Sequence, residues 1–129
     1  SKKLSEELIN KTANFKDSNK KFLCHNDFGP WQCIINKKKI MGIIDWEWAE
    51  SSNPLYDLAK TEVLMDIFSP GKFKFLMMGY NKKGLTKEYS YVKKEYKIVE
   101  LVNFLYIFRN HKSNFSKGIK NLRKILKDE

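Results

Sequence analysis

Three carboxylates stand where an acid needs a reason. Asp27 falls within His25-Asn26-Asp27-Phe28-Gly29-Pro30-Trp31-Gln32, a segment whose Gly and Pro make it a loop. Asp45 follows Ile40-Met41-Gly42-Ile43-Ile44, four apolar residues in five, and ends a strand that reads as buried. Asp57 lies in the first turn of a helix that Pro54 opens. A carboxylate at the end of a buried strand is costly unless a cation or hydrogen-bond donors meet it. Two such acids brought together by a hairpin make a natural Mg²⁺ site, because Mg²⁺ takes a few hard oxygen ligands together with phosphate. The competing reading is that Asp27 and Asp45 merely accept loop backbone amides. Residue types alone leave both open.

The elements that must position these acids follow from periodicity. Leu4, Leu8, Ile9 and Phe15 place one apolar stripe on residues 3–15, a helix, with Ser5-Glu6-Glu7 supplying its start. Phe22-Leu23-Cys24 is a short strand leading into the loop of Asp27. Cys33-Ile34-Ile35 and Ile40 to Ile44 are rich in β-branched residues and flank Asn36-Lys37-Lys38-Lys39, so they form a hairpin whose second strand ends at Asp45. From Pro54 the pattern turns helical. One helix covers 54–68 with Asn53 as its N-cap and stops at Ser69-Pro70-Gly71. Others are expected over about 71–80, 86–111 and 114–127, the last carrying Phe115, Ile119, Leu122 and Ile125 on one face. The class is α+β, a small β-element bearing loops and mounted on a helical bundle.

The order of these segments resembles a known family. His25-Asn26-Asp27 followed by Gln32 is similar to the catalytic loop of the aminoglycoside phosphotransferases and their choline-kinase relatives. Gly42-Ile43-Ile44-Asp45-Trp46-Glu47 resembles that family's metal-binding segment, and Asn53-Pro54-Leu55-Tyr56-Asp57-Leu58-Ala59 its next helix-opening motif. A lone His-x-Asp is weak evidence, whereas three linked motifs in family order are specific. The likeness is close over residues 22–60 and loose in the helices beyond.

The resemblance implies the mostly helical C-terminal lobe of a protein-kinase-like fold and a phosphotransferase using ATP and Mg²⁺ on a hydroxyl of a small molecule. The substrate class would be an aminoglycoside-like antibiotic or an amino-alcohol such as choline. By the same resemblance Asp27 is the catalytic residue that orients the substrate hydroxyl and takes its proton. Asp45 holds Mg²⁺ across the ATP phosphates, with Gln32 as the second metal and cofactor ligand where the family has Asn. His25 packs the catalytic loop, and Asp57 ties that loop's backbone to the bundle. Trp46 and Glu47, beside the metal acid, are candidates to face the substrate. Asn26 stands where many members have Gly, and Asn53 where many have Asp.

Kinases of that fold hold ATP with an N-terminal lobe and its Gly-rich loop. None of the six glycines precedes Gly29, so the expectation is one lobe over residues 1–129, with the nucleotide-binding lobe absent, supplied elsewhere or replaced by self-association. This leaves a second reading, a truncated, catalytically inactive kinase-like module that binds a partner.

Composition narrows the remaining classes. With 42% hydrophobic and 31% charged residues the 129-residue chain suits one soluble domain rather than a disordered segment. Net charge is +10, which would attract polyanions. The lysines nevertheless read as scattered surface charge whose densest cluster, Lys37-Lys38-Lys39, is a hairpin turn, so a basic nucleic-acid-binding protein or metal nuclease is the least favoured reading. Cys24 and Cys33 have no zinc spacing and read as buried free thiols of a reducing compartment. The longest apolar stretch, Ile98 to Phe108, is interrupted by Glu100 and Asn103 and is too short to span a bilayer. A cytoplasmic location without membrane contact is expected.

Overall fold

The computed structural model describes residues 21–80 and 85–127. The helix expected over residues 3–15 lies outside the described residues. The fold is α+β: two small antiparallel sheets carry the loops, and four helices among the described residues form the body.

β1 (Phe22–Cys24) pairs with β4 (Glu50–Ser52), setting Cys24 opposite Glu50 and Phe22 opposite Ser52. β2 (Cys33–Asn36) pairs with β3 (Lys39–Ile43), with an irregularity between Ile34 and Ile35. The turn joining them holds Lys37 at φ 45° and Lys38 at φ 65°. Two successive positive φ values define the type I′ hairpin turn that matches strand twist, here built without the usual Asn-Gly. One 3-10 turn, Pro30–Gln32, interrupts the expected loop.

The hairpin differs from its expected burial. Ile34, Ile35, Ile40 and Met41 are each at least half exposed, so the strand leading to Asp45 is not a buried one among the described residues. Cys24 is buried as expected, while Cys33 is only half-buried; both are free.

The helices bury their faces in two clusters. α1 (Pro54–Phe68) starts at Asn53, whose side-chain oxygen accepts from Leu55 N–H at 2.9 Å as an N-cap should. It carries buried residues on several sides because it touches β1, α2 (Phe73–Tyr80), α3 (Leu85–Ile107) and α4 (Lys112–Lys127). Leu58, Ala59, Met65, Phe73 and Tyr89 form one cluster; Val63, Ile67, Leu101 and Phe104 form the other, with Leu122 and Ile125 of α4 packed on it. α3 ends at Ile107, earlier than the expected 111. There the chain turns, and His111 Nδ1 accepts from Asn114 N–H at 3.3 Å, restarting the helix.

Between α1 and α3 lies a partly buried ion cluster. Lys97 Nζ reaches Glu62 at 2.7 Å and Asp66 at 2.8 Å, and Tyr89 donates its hydroxyl proton to Glu62. Burial pulls the Lys97 ammonium down, but the two carboxylates outweigh it and its pKa is raised. No helix among the described residues is long and apolar enough to cross a membrane.

Candidate functional site

The loop after β1 is built around one carboxylate. Asp57 Oδ2 accepts from His25 N–H and Oδ1 from Asn26 N–H, both at 2.9 Å. Pro54 makes this possible by starting α1 early enough for Asp57 to project from the first turn toward two otherwise orphaned amides. Asn26 adopts φ 59°, a left-handed conformation that Asn tolerates better than most residues, and the chain reverses there to present Asp27. Its side-chain amide donates to Trp48 O at 3.2 Å.

His25 fastens the loop from the other side. Its Nε2–H donates to Ile44 O at 2.9 Å, because a carbonyl can only accept, and the buried Nδ1 has no partner among the described residues. The ring also rests against Trp46 with centroids 4.7 Å apart. The resemblance gave His25 a packing role, and its contacts in the structure are of that kind.

Two strand ends are thereby brought together. Ile44 N–H donates to Gln32 O at 3.0 Å, which sets Asp45 beside the end of the 3-10 turn. Asp45 itself stands at φ 67°, with an exposed carboxylate. Gln32 is buried; its amide nitrogen approaches Asp27 Oδ2 at 3.4 Å, a long and weak contact, and its Oε1 has no partner among the described residues. Burial pushes the Asp27 carboxyl above the ordinary aspartate range. Lys60 and His25 pull it down, while Asp45 and Glu47 push it further up.

Among the described residues no group of three or more His, Cys, Asp and Glu is arranged to hold a metal ion. The oxygen set here is smaller and of another kind: the Asp45 carboxylate, the orphaned Gln32 Oε1 and the nearby Asp27. It fits Mg²⁺, which usually takes one or two carboxylates and completes its shell with water and substrate phosphate.

Asp27 also borders a cavity of about 900 Å³. Asn26, Trp31, Trp48 and Lys60 line it together with Glu100, Asn103, Phe104 and Tyr106 of α3. Tyr56 lines it as well. Burial raises its pKa and a hydrogen bond to Glu100 raises it further, so it remains a neutral donor to that buried carboxylate. Trp46 and Glu47, the candidates to face the substrate, are not among the lining residues of this cavity: Trp46 packs on His25 and donates Nε1–H to Ile43 O at 2.8 Å.

Sequence reasoning missed Trp31, Trp48, Tyr56, Lys60 and Glu100 as pocket residues. Two signals were present. Glu100 and Asn103, which break the apolar stretch of α3, are three residues apart and therefore share a helix face. Gly29 is the other. A Cβ there would meet the Trp31 ring at 2.2 Å, so the residue must be glycine if the indole is to lie across the loop.

A model of the phosphotransferase enzyme family matches residues 3–75. That span holds all four strands, the loop of Asp27, α1 and the start of α2. The α3 wall of the cavity lies beyond it. No curated protein and no solved structure matches the chain.

Proposed function

The chain belongs to the phosphotransferase enzyme family, and from that premise we propose that it carries the catalytic loop of an ATP-dependent kinase acting on a hydroxyl group of a small molecule. The observation that carries this reading is the placement of Asp27. It is held by a loop pinned through Asp57 and His25, stands beside Asp45 and Gln32, and faces a cavity large enough for a metabolite.

The transfer is a displacement at phosphorus. The substrate oxygen forms a bond to the γ-phosphorus of ATP, the bond from that phosphorus to the β–γ bridging oxygen breaks, and ADP leaves. Asp27 orients the hydroxyl and accepts its proton. Asp45 and Gln32 Oε1 would hold Mg²⁺, which when bound offsets negative charge on the phosphates. Lys60, close enough to stabilise the ionised form of Asp27, favours the state that can act as base.

The cavity supports a hydroxylated substrate that also carries an amine. Trp31, Trp48, Tyr56 and Tyr106 offer aromatic faces, and Glu50 and Glu100 offer carboxylates, a combination that attracts ammonium groups. Amino-alcohols and aminoglycoside-like antibiotics share this chemistry.

Calorimetric titration of the purified chain with ATP, with and without Mg²⁺, tests the phosphate site. Binding that requires both Mg²⁺ and Asp45, and that is lost in Asp45→Asn, is expected. ATP binding indifferent to both would remove the metal role of Asp45. For the chemistry, phosphate transfer to amino-alcohol acceptors should fall roughly 10²- to 10⁴-fold in Asp27→Asn while ATP still binds. Unchanged transfer by that variant would refute the assignment.

A further inference from the structure

Between Lys112 and Lys127, α4 carries six cationic side chains and no carboxylate. Its apolar side is already engaged. Leu122 and Ile125 pack against the Leu101 and Phe104 cluster, and Gly118 lies so close to α3 that a Cβ would meet Leu105 at 2.8 Å. The cations are left on the other faces. Lys117, Lys120, Lys124 and Lys127 recur at steps of three and four and so form one edge, with Arg123 beside them. Lys93 and Lys94 of α3 also contribute, and with the Pro70-Gly71 turn the two helices bound a groove of about 1160 Å³.

The groove also contains Glu62 and Asp66, but Lys97 already holds both. They offset Lys97, and the six cations of α4 have no acid on their own helix to match them. Like charges at three- and four-residue spacing weaken a helix. A bound polyanion would relieve that repulsion.

We propose that this groove binds a linear chain of phosphate groups, inorganic polyphosphate being the chemistry it fits. Lysine ammonium groups are compact point charges that meet phosphate oxygens from many directions, and only one arginine is present to impose bidentate geometry. The lining contains no aromatic side chain, so nucleic-acid bases find no stacking platform. An extended acidic peptide turns alternate side chains away, leaving about half its carboxylates facing the lysines. A phosphate chain carries charge at every unit. The groove's cations lie on α3 and α4, apart from Asp27 and beyond the stretch that matches the family, while Glu62, Asp66 and the Pro70-Gly71 turn on its far wall fall within that stretch.

The test is calorimetric titration of the full chain at low salt with short-chain inorganic polyphosphate. Orthophosphate, oligothymidylate and polyglutamate of matched charge serve as separate arms. The variant Lys117→Gln/Lys120→Gln/Lys124→Gln removes three of the four lysines of that edge, and Lys37→Gln/Lys38→Gln/Lys39→Gln removes the same charge from the hairpin turn. Polyphosphate should bind with an affinity that falls as salt rises, weakened on the order of tenfold or more by the groove variant and far less by the turn variant. Equal loss in both variants would mean simple attraction to net charge and overturn the proposal. So would equal or tighter binding of oligothymidylate or polyglutamate, or no polyphosphate binding. A readout on the unaltered chain removes dependence on variant folding. Bound polyphosphate should shield Lys120 and Lys124 from an amine-acylating reagent while Lys37 to Lys39 remain labelled, and uniform labelling would count against the groove.

Discussion

Between Phe22 and Ser52 the buried side chains are one thiol, Cys24, and three polar groups, His25, Asn26 and Gln32. From Pro54 onward ten apolar side chains among the described residues are buried in and around two clusters. The helical half is therefore held by removal of apolar surface from water, a non-directional force that tolerates small shifts. The site-bearing half is held by a few hydrogen bonds of fixed direction, most of them ending on Asp57, Ile44 or Trp48. Directional ties set where Asp27 points, whereas apolar packing determines whether the domain stays folded.

Substitutions in the two halves should separate those roles. The largest stability loss is expected from Leu101→Ala. Leu101 is 1% exposed, and truncating it removes about 3–4 kcal/mol, read as a lowered denaturation midpoint for the whole domain. Asp57→Asn should cost less, about 2 kcal/mol, by replacing a charged acceptor of two amides with a group that faces one of them with its own N–H. Its effect should be concentrated in faster hydrogen exchange at His25 and Asn26 and in lost phosphate transfer. If Asp57→Asn instead lowered the midpoint as much as Leu101→Ala, the division between the halves would fail.

Gly29→Ala comes next, at about 1–2 kcal/mol, because the added methyl must displace the Trp31 ring from its edge-to-face contact with Phe68. A blue or red shift in tryptophan fluorescence with little change in helix content would report that movement. An unchanged spectrum and unchanged substrate affinity would show that Trp31 is not fixed by this contact.

The smallest effect concerns pH. Asp27 must be ionised to act as base, and burial raises its pKa, so the acid limb of kcat/KM should lie above the ordinary aspartate range. Lys60→Met removes a cation that opposes this rise and should move the limb to still higher pH, whereas Glu47→Gln removes an anion and should move it lower. Limbs that stay together in all three proteins would mean that another group controls the profile.

The legible parts of the fold and site are those with local signals. Pro54 and Asn53 marked the start of α1 to the residue, since capping and ring constraint act within one turn. The three family-like segments pointed to Asp27, Asp45 and Asp57, which structure brings to one loop cluster. β4 was not legible. Glu50-Ser51-Ser52 has neither alternation nor β-branched residues, and its pairing with β1 rests on backbone hydrogen bonds that side-chain patterns do not encode. The exposure of β2 and β3 was also hidden, because an apolar run reads the same whether or not another element covers it. The basic groove escaped for a further reason: Lys93 and Lys120 are distant in sequence and line one groove because α4 packs closely on α3 at Gly118.

β4, the Asn53 cap and Asp57 follow one another within eight residues, from Glu50 to Asp57. The sheet anchors one end of this segment and the cap sets the helical phase of the other. One residue inserted between Ser52 and Asp57 would turn the carboxylate by about 100° around the α1 axis, away from both amides it serves. This brace is constrained in length more strictly than in composition: Ser51 can change its side chain at little cost, but the spacing to Asp57 cannot change at all.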